Sequence, residues 1–168
     1  MNAQQIELFR STDTPEWYTP DHIIYSVIDM WGTIDLDPCS DAEHNVPATT
    51  HLTKDDDGLS HTWSGRVFCN PPYGRTINKW IYKLEQEYNS GNVKEGILLV
   101  FANTDTNWFN DIAHHTVCFV RGRLRFKSPS NGSSNAAMRP SMVVYFGKDD
   151  SKFIEVFSKV GNVYRNIR

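Results

Sequence analysis

Residues 66–101 read RVFCNPPYGRTINKWIYKLEQEYNSGNVKEGILLVF, and this stretch decides the fold. Residues 66–69 form a short apolar strand that runs straight into Asn70-Pro71-Pro72-Tyr73. Neither proline has an N–H to continue a ladder, so the strand must stop there. Ile77, Trp80, Ile81, Leu84 and Tyr88 then recur at helical spacing. Residues 96–101, GILLVF, are continuously apolar, the pattern of a strand covered on both faces. Strands alternating with helices in this way predict an α/β fold, a mostly parallel sheet with helices on both faces.

The same alternation extends outward. Thr19 is a capping residue and Pro20 suits a first helical turn, and Ile23, Ile24, Val27, Ile28 and Trp31 follow on one face up to Gly32. Residues 33–39 (TIDLDPC) alternate and end at a proline, as a strand entering a functional loop does. Residues 40–64 are polar and aperiodic and read as a long functional loop with short helical pieces. Further on come a short helix at 106–114, a strand at 117–120, a Ser/Asn/Gly-rich mobile loop at 128–137, a strand at 141–146 and a closing helix at 152–160. Ligands of such sheets bind at the carboxyl ends of the strands. That rule puts Asp37-Pro38-Cys39, Asn70 to Tyr73 and Asn103-Thr104-Asp105 on one rim.

The 168 residues point to a single domain with a core large enough to need no staple. There is no apolar run of membrane-spanning length and no signal-peptide pattern at the start, so a cytoplasmic protein is expected. Cys39, Cys69 and Cys118 lie in or beside apolar runs without metal-ligand spacing, as reduced packed thiols do. Asp55-Asp56-Asp57 lacks a full oxygen-ligand loop, and no metal is expected. His114-His115 reads as dipole compensation at a helix end.

The net charge of −3 hides an asymmetry. Residues 1–120 carry 7 basic and 17 acidic side chains, and residues 121–168 carry 10 basic and 3 acidic. Arg121, Arg123, Arg125, Lys127 and Arg139 share a stretch with no acidic residue. This is either a basic face for a polyanion or an edge that complements the acidic half. On a strand, Arg121, Arg123 and Arg125 face one side, a spacing that suits phosphate contacts.

The Asn-Pro-Pro-Tyr exit carries the chemistry. Its prolines stiffen the backbone and leave carbonyls free, Asn70 adds a side-chain acceptor, and Tyr73 adds a flat ring. Two acceptors beside a stacking ring suit a planar group with an exocyclic amine.

From Trp17 to Phe146 the chain resembles the S-adenosylmethionine-dependent DNA N6-adenine methyltransferases, in the compact Dam-like branch of phages and prophages. The resemblance rests on Tyr18-Thr19-Pro20, Asp35-Leu36-Asp37-Pro38-Cys39, Asp57-Gly58-Leu59 with Trp63, Asn70-Pro71-Pro72-Tyr73, Trp80 and Lys83, Thr104-Asp105-Thr106 with Trp108-Phe109, the Arg121–Phe126 run, and Pro140-Ser141. It implies a single Rossmann-like methyltransferase domain over residues 1–168, with no separate target-recognition domain and a DNA-contacting segment at 121–140. It implies a flipped adenine as substrate, its amine donating to the Asn70 side chain and the Pro71 carbonyl, with Pro72 completing the motif and Tyr73 stacking on the base. It also implies S-adenosylmethionine held by Thr19, Pro20, Asp37, Pro38, Cys39, Ser40, Asp57, Leu59 and Asn70. Asp37 is expected at the methionine end and the 57–59 segment at the adenine. The glycine-rich first loop usual in the fold is absent, and Glu43 is considered for the ribose as a carboxylate near a strand end. Other planar amines (cytosine N4, an RNA adenine, a protein glutamine) and a non-catalytic nucleic-acid-binding relative remain as alternatives.

Overall fold

The computed structural model of the protein describes residues 18–127 and 134–166. Seven strands form one mixed sheet in the order β2-β1-β3-β4-β8-β5-β9. They are β1 (Ile34–Asp37), β2 (Ala48–His51), β3 (Gly65–Cys69), β4 (Val93–Phe101), β5 (Thr116–Val120), β8 (Ser141–Phe146) and β9 (Gly161–Tyr164). β2, β1, β3 and β4 pair in parallel, β8 runs antiparallel between β4 and β5, and β9 is antiparallel to β5. A separate hairpin joins β6 (Arg125–Lys127) and β7 (Ser134–Ala136).

Among the described residues, four helices cover the sheet: α1 (Asp21–Trp31), α2 (Ile77–Asn89), α3 (Asn107–Ile112) and α4 (Ser151–Phe157). Ile23, Val27 and Trp31 of α1 and Phe153 and Phe157 of α4 pack with Phe68, Ile97, Leu99, Val143 and Tyr145. Ile81 and Leu84 of α2 and Trp108 and Ile112 of α3 pack with Val67, Cys69, Leu98, Val144 and Phe146. Adjacent residues of β3, β4 and β8 thus enter opposite cores, which is why β4 reads as unbroken apolar sequence. Each side chain buried in this way contributes about 1.5–3 kcal/mol.

The predicted α/β sheet with helices on both faces is present, with three differences in detail. The 40–64 segment holds a strand, β2, whose ATTH side chains are half-buried or exposed. β2 is held by parallel backbone pairing to β1, from Ile34 opposite Ala48 to Asp37 opposite His51. Such pairing leaves no apolar period to read. β9 is a second edge strand of the same kind. The segment expected as a mobile loop at 128–137 contains β7, and its residues 128–133 lie outside the described residues.

Because β1, β3, β4 and β5 run the same way, their carboxyl ends share one edge. β1 hands the chain to β2 on one side, and β2 hands it to β3 on the other. The crevice of this topological switch therefore lies between Asp37 and Asn70.

Candidate active site

Asn70 leaves β3 at the rim, and Pro71 and Pro72 carry the chain away from the sheet. The Nδ2 of Asn70 donates to Thr19 Oγ1 at 3.1 Å. Thr19 is buried, and its position in the sequence predicts a cap for α1. The helix instead opens on the Pro20 carbonyl, which accepts from Ile23 and Ile24 N–H, so the Thr19 hydroxyl is left to orient Asn70. Asn45 Nδ2 in turn donates to the Thr19 carbonyl at 3.1 Å.

Among the described residues, three buried side-chain polar atoms have no hydrogen-bond partner: Asn70 Oδ1, the Tyr73 hydroxyl and Ser141 Oγ. All three belong to one edge of the sheet, since Ser141 opens β8 opposite Phe101, the last residue of β4. Leaving a buried polar group unpaired costs about 1–3 kcal/mol, so each such atom is a candidate for a bond that a ligand completes.

The Tyr73 ring stacks on Phe101 with centroids 4.0 Å apart and planes 13° apart. The edge of Phe126 approaches it at 6.4 Å. Burial pushes the Tyr73 phenol well above its ordinary pKa, so it stays protonated. The motif marks Tyr73 in the sequence but neither phenylalanine: Phe101 reads as strand core and Phe126 as part of the basic run.

Asp37 ends β1 and is 2% exposed. Its Oδ1 accepts from Cys39 N–H at 3.1 Å. Burial is the main influence on this acid and raises its pKa to about 7, with Asp41 adding to the rise and bonds from Cys39 N–H and Ser40 opposing it. Cys39 Sγ lies 3.5 Å from Cys69 Sγ, which joins the β1 exit to the β3 exit. Burial and the neighbouring Cys69 thiol hold the Cys39 thiol protonated, in keeping with packed, reduced cysteines.

The 57–59 segment meets the same loop. Gly58 opens a short 3₁₀ turn, and a Cβ there would collide with the Pro38 carbonyl oxygen. Trp63 Nε1 donates to the Gly58 carbonyl at 2.8 Å, and the Trp63 ring stacks with Trp80 of α2 at 6.1 Å. Ser40 N–H bonds to the Leu52 carbonyl and Leu52 N–H to the Asp37 carbonyl, so β2 also leads back to this rim. Asp57 is exposed and half of Leu59 is covered. Glu43 is not at a strand end; it sits exposed in the β1–β2 connection.

The basic residues emerge on the same side, past the end of β5. Arg121 and Arg123 are not on a strand: a turn at Gly122 (φ 77° in Gly32 is matched here by 74°) separates β5 from β6. The shared strand face expected for Arg121, Arg123 and Arg125 is therefore absent, because the chain must bend to leave the sheet. Arg125 and Lys127 do share an exposed face of β6, with Phe126 buried between them. Lys127 Nζ pairs with Asp21 at 2.9 Å, and Tyr18 N–H bonds to the Lys127 carbonyl. Arg139 donates to Asn103 Oδ1 at 3.0 Å. A cleft of about 510 Å³ opens nearby, lined by residues including Arg75, Asn78, Asp105, Thr106 and Trp108.

A family described as DNA N-6-adenine-methyltransferase (Dam) matches residues 9–163. The chain belongs to the Dam family. It is also 34% identical to an Escherichia coli (strain K12) protein named "Putative methyltransferase YfdM", over 34% of this chain and 70% of that one. The Dam-family chain is thus an adenine-N6-specific DNA methyltransferase with DNA as its substrate. The family description names adenine N6 in DNA rather than a cytosine, RNA or protein amine. Methyltransferases of this kind generally use S-adenosylmethionine. No helix among the described residues of this Dam protein is long and apolar enough to cross a membrane.

Proposed function

We propose that the rim between Asp37 and Asn70 is the methyl-transfer site, in a single Rossmann-like domain spanning residues 1–168. The observation that carries this reading is the unpartnered, buried Asn70 Oδ1, aimed by the Thr19 hydrogen bond on the opposite side of the same amide. A flipped adenine donates its N6 amine to this oxygen and to the Pro71 carbonyl. The two bonds hold the nitrogen lone pair out of conjugation with the ring and make it nucleophilic. Pro71 and Pro72 fix that carbonyl because their φ angles are locked. Tyr73, backed by Phe101, offers its other face for the base to stack on. The work is positioning and electrostatics rather than strong-base catalysis.

S-adenosylmethionine, when bound, supplies the transferable methyl group as a sulfonium. The residues fit it: a cation beside a desolvated acid such as Asp37 favours its charged form, and the cofactor's methionine end carries an ammonium. Asp37, Pro38, Cys39 and Ser40 hold that end together with Thr19, Pro20 and Asn70, and Asp57 and Leu59 hold the adenosine end. The close seat of Gly58 on Pro38 supports one continuous cradle.

Arg121, Arg123, Arg125, Lys127 and Arg139, in the 121–140 segment, contact DNA phosphates and seat the duplex over the rim. Acting on DNA, the enzyme is placed in the cytoplasm of a bacterial host, encoded by a phage or prophage.

Asn70→Ala tests the site. Tritiated-methyl transfer to DNA should fall at least a hundredfold while cofactor affinity stays within tenfold. Retained turnover overturns the assignment.

A further inference from the structure

We propose that Glu85, His114 and His115 form a site for a zinc-type divalent transition-metal ion, at the end of the sheet away from Asn70. Glu85 lies on α2, and the two histidines join α3 to β5. One ligand atom from each of the three lies within 4.8 Å of the others. His115 Nε2 is 2.8 Å from Glu85 Oε2, and His114 Nε2 is 3.4 Å from Glu85 Oε1. Tetrahedral zinc with bonds near 2.0–2.2 Å separates its donors by roughly 3.3 Å.

Hydrogen-bond logic sharpens the point. The Asp111 carbonyl can only accept, so His114 Nδ1, 3.0 Å away, carries the proton of that bond. In neutral His114 the Nε2 then presents a lone pair, and it presents it to a carboxylate oxygen. Two acceptors facing each other repel; a cation between them makes the arrangement favourable.

The surroundings match those of metal ligands. A ligating imidazole donates its other N–H to a carbonyl or carboxylate, as His114 does to Asp111. Glu85 Oε1 is oriented by Asn89 Nδ2 at 3.2 Å. His115 is buried between the rings of Tyr88 and Phe146, at 5.7 and 4.1 Å. The His114 side chain is 55% exposed and opens a route from solvent. Two imidazoles and one carboxylate favour zinc over magnesium or calcium, which take oxygen ligands.

His115 directly precedes the first residue of β5, whereas Asn70 follows the last residue of β3. β3 and β5 run in the same direction, so the two sites lie at opposite ends of the sheet. The ion would tie α2, which leads away from the Asn-Pro-Pro-Tyr motif, to the start of β5. Its effect is on stability, not on methyl transfer.

Titration of the chelator-treated full chain with Zn²⁺ should show one saturable site in calorimetry. At a hundredfold excess over Kd, the Tm should rise by about 8 °C. His114→Ala, at an exposed position, should keep its far-ultraviolet circular dichroism and its methyl transfer while losing at least tenfold in Zn²⁺ affinity. Glu85→Gln should lose a similar amount. Co²⁺ should give the visible absorption of a four-coordinate site in the wild type and not in His114→Ala. Absence of saturable Zn²⁺ binding, or binding unchanged in His114→Ala, overturns the proposal and leaves a proton-held histidine–glutamate pair.

Discussion

Asn70 Nδ2 and Thr19 Oγ1, 51 residues apart in the chain, are joined by a 3.1 Å hydrogen bond that sets which way the Asn70 amide points. With the nitrogen committed to Thr19, the oxygen is the atom left for substrate. Thr19→Val keeps the shape and removes the acceptor. One neutral hydrogen bond nets about 1 kcal/mol, and loss of amide orientation adds to it, so kcat should fall about tenfold. In an Asn70→Ala background the same change should have almost no further effect. Fully additive losses in this double-mutant cycle would show that Thr19 acts elsewhere.

Asp37 makes the protein respond to pH. Its pKa of about 7 in the fold lies above its ordinary 3.8, so between those values the folded chain holds a proton that the unfolded chain has lost. Stability of the ligand-free protein should therefore fall as pH rises from about 4 to 7, and level off above. A cationic ligand group beside Asp37 needs the carboxylate, so S-adenosylmethionine affinity should rise over the same range and level off near pH 7. Asp37→Asn should flatten both profiles. Calorimetry and thermal unfolding across pH 5–8 check this, and a cofactor affinity that ignores pH in the wild type would count against Asp37 as a contact.

The Tyr73 hydroxyl is buried without a partner, whereas its ring packs on Phe101. Tyr73→Phe should preserve methyl transfer and leave the Tm equal or higher, since an unpaired polar atom is removed. Tyr73→Ala removes a stacking surface of about 1–3 kcal/mol and should weaken DNA binding roughly tenfold to a hundredfold. Equal losses in the two variants would argue against a stacked base.

Gly58→Ala places a Cβ into the Pro38 carbonyl. The two loops must separate, at a cost of about 1–3 kcal/mol. The Tm should drop and S-adenosylmethionine affinity should weaken, with DNA binding in the absence of cofactor unchanged. An unaltered cofactor affinity would detach the 57–59 segment from the cofactor cradle.

DNA affinity should decline steeply with salt, because phosphate contacts release counterions. Arg123→Ala should lower the log–log salt slope by about 1 and weaken binding to all sequences alike. Lys127→Ala should change it less, because Lys127 already pairs with Asp21. An unchanged slope with altered methylation sites would mean that Arg123 reads bases.

Local signals in the chain specify β1, β3, β4, β5 and β8, the helices α1, α2, α3 and α4, and the stop at Asn70. In each case the signal is local: apolar residues recur with the period of the element that buries them, and two prolines cannot pair. The strands β2 and β9 escaped because edge strands are held by backbone bonds to a neighbour, and their side chains carry no buried period. The bend that takes Arg121 and Arg123 off a common strand face is a consequence of leaving the sheet, which residue spacing does not record. It is the packed fold that turns the Thr19 hydroxyl to Asn70 and not to a helix cap, sets Phe101 and Phe126 beside Tyr73, and brings Glu85 to His114 and His115. Those pairings join residues far apart in the chain, and packing helices on both faces of one sheet is what brings them within bonding distance.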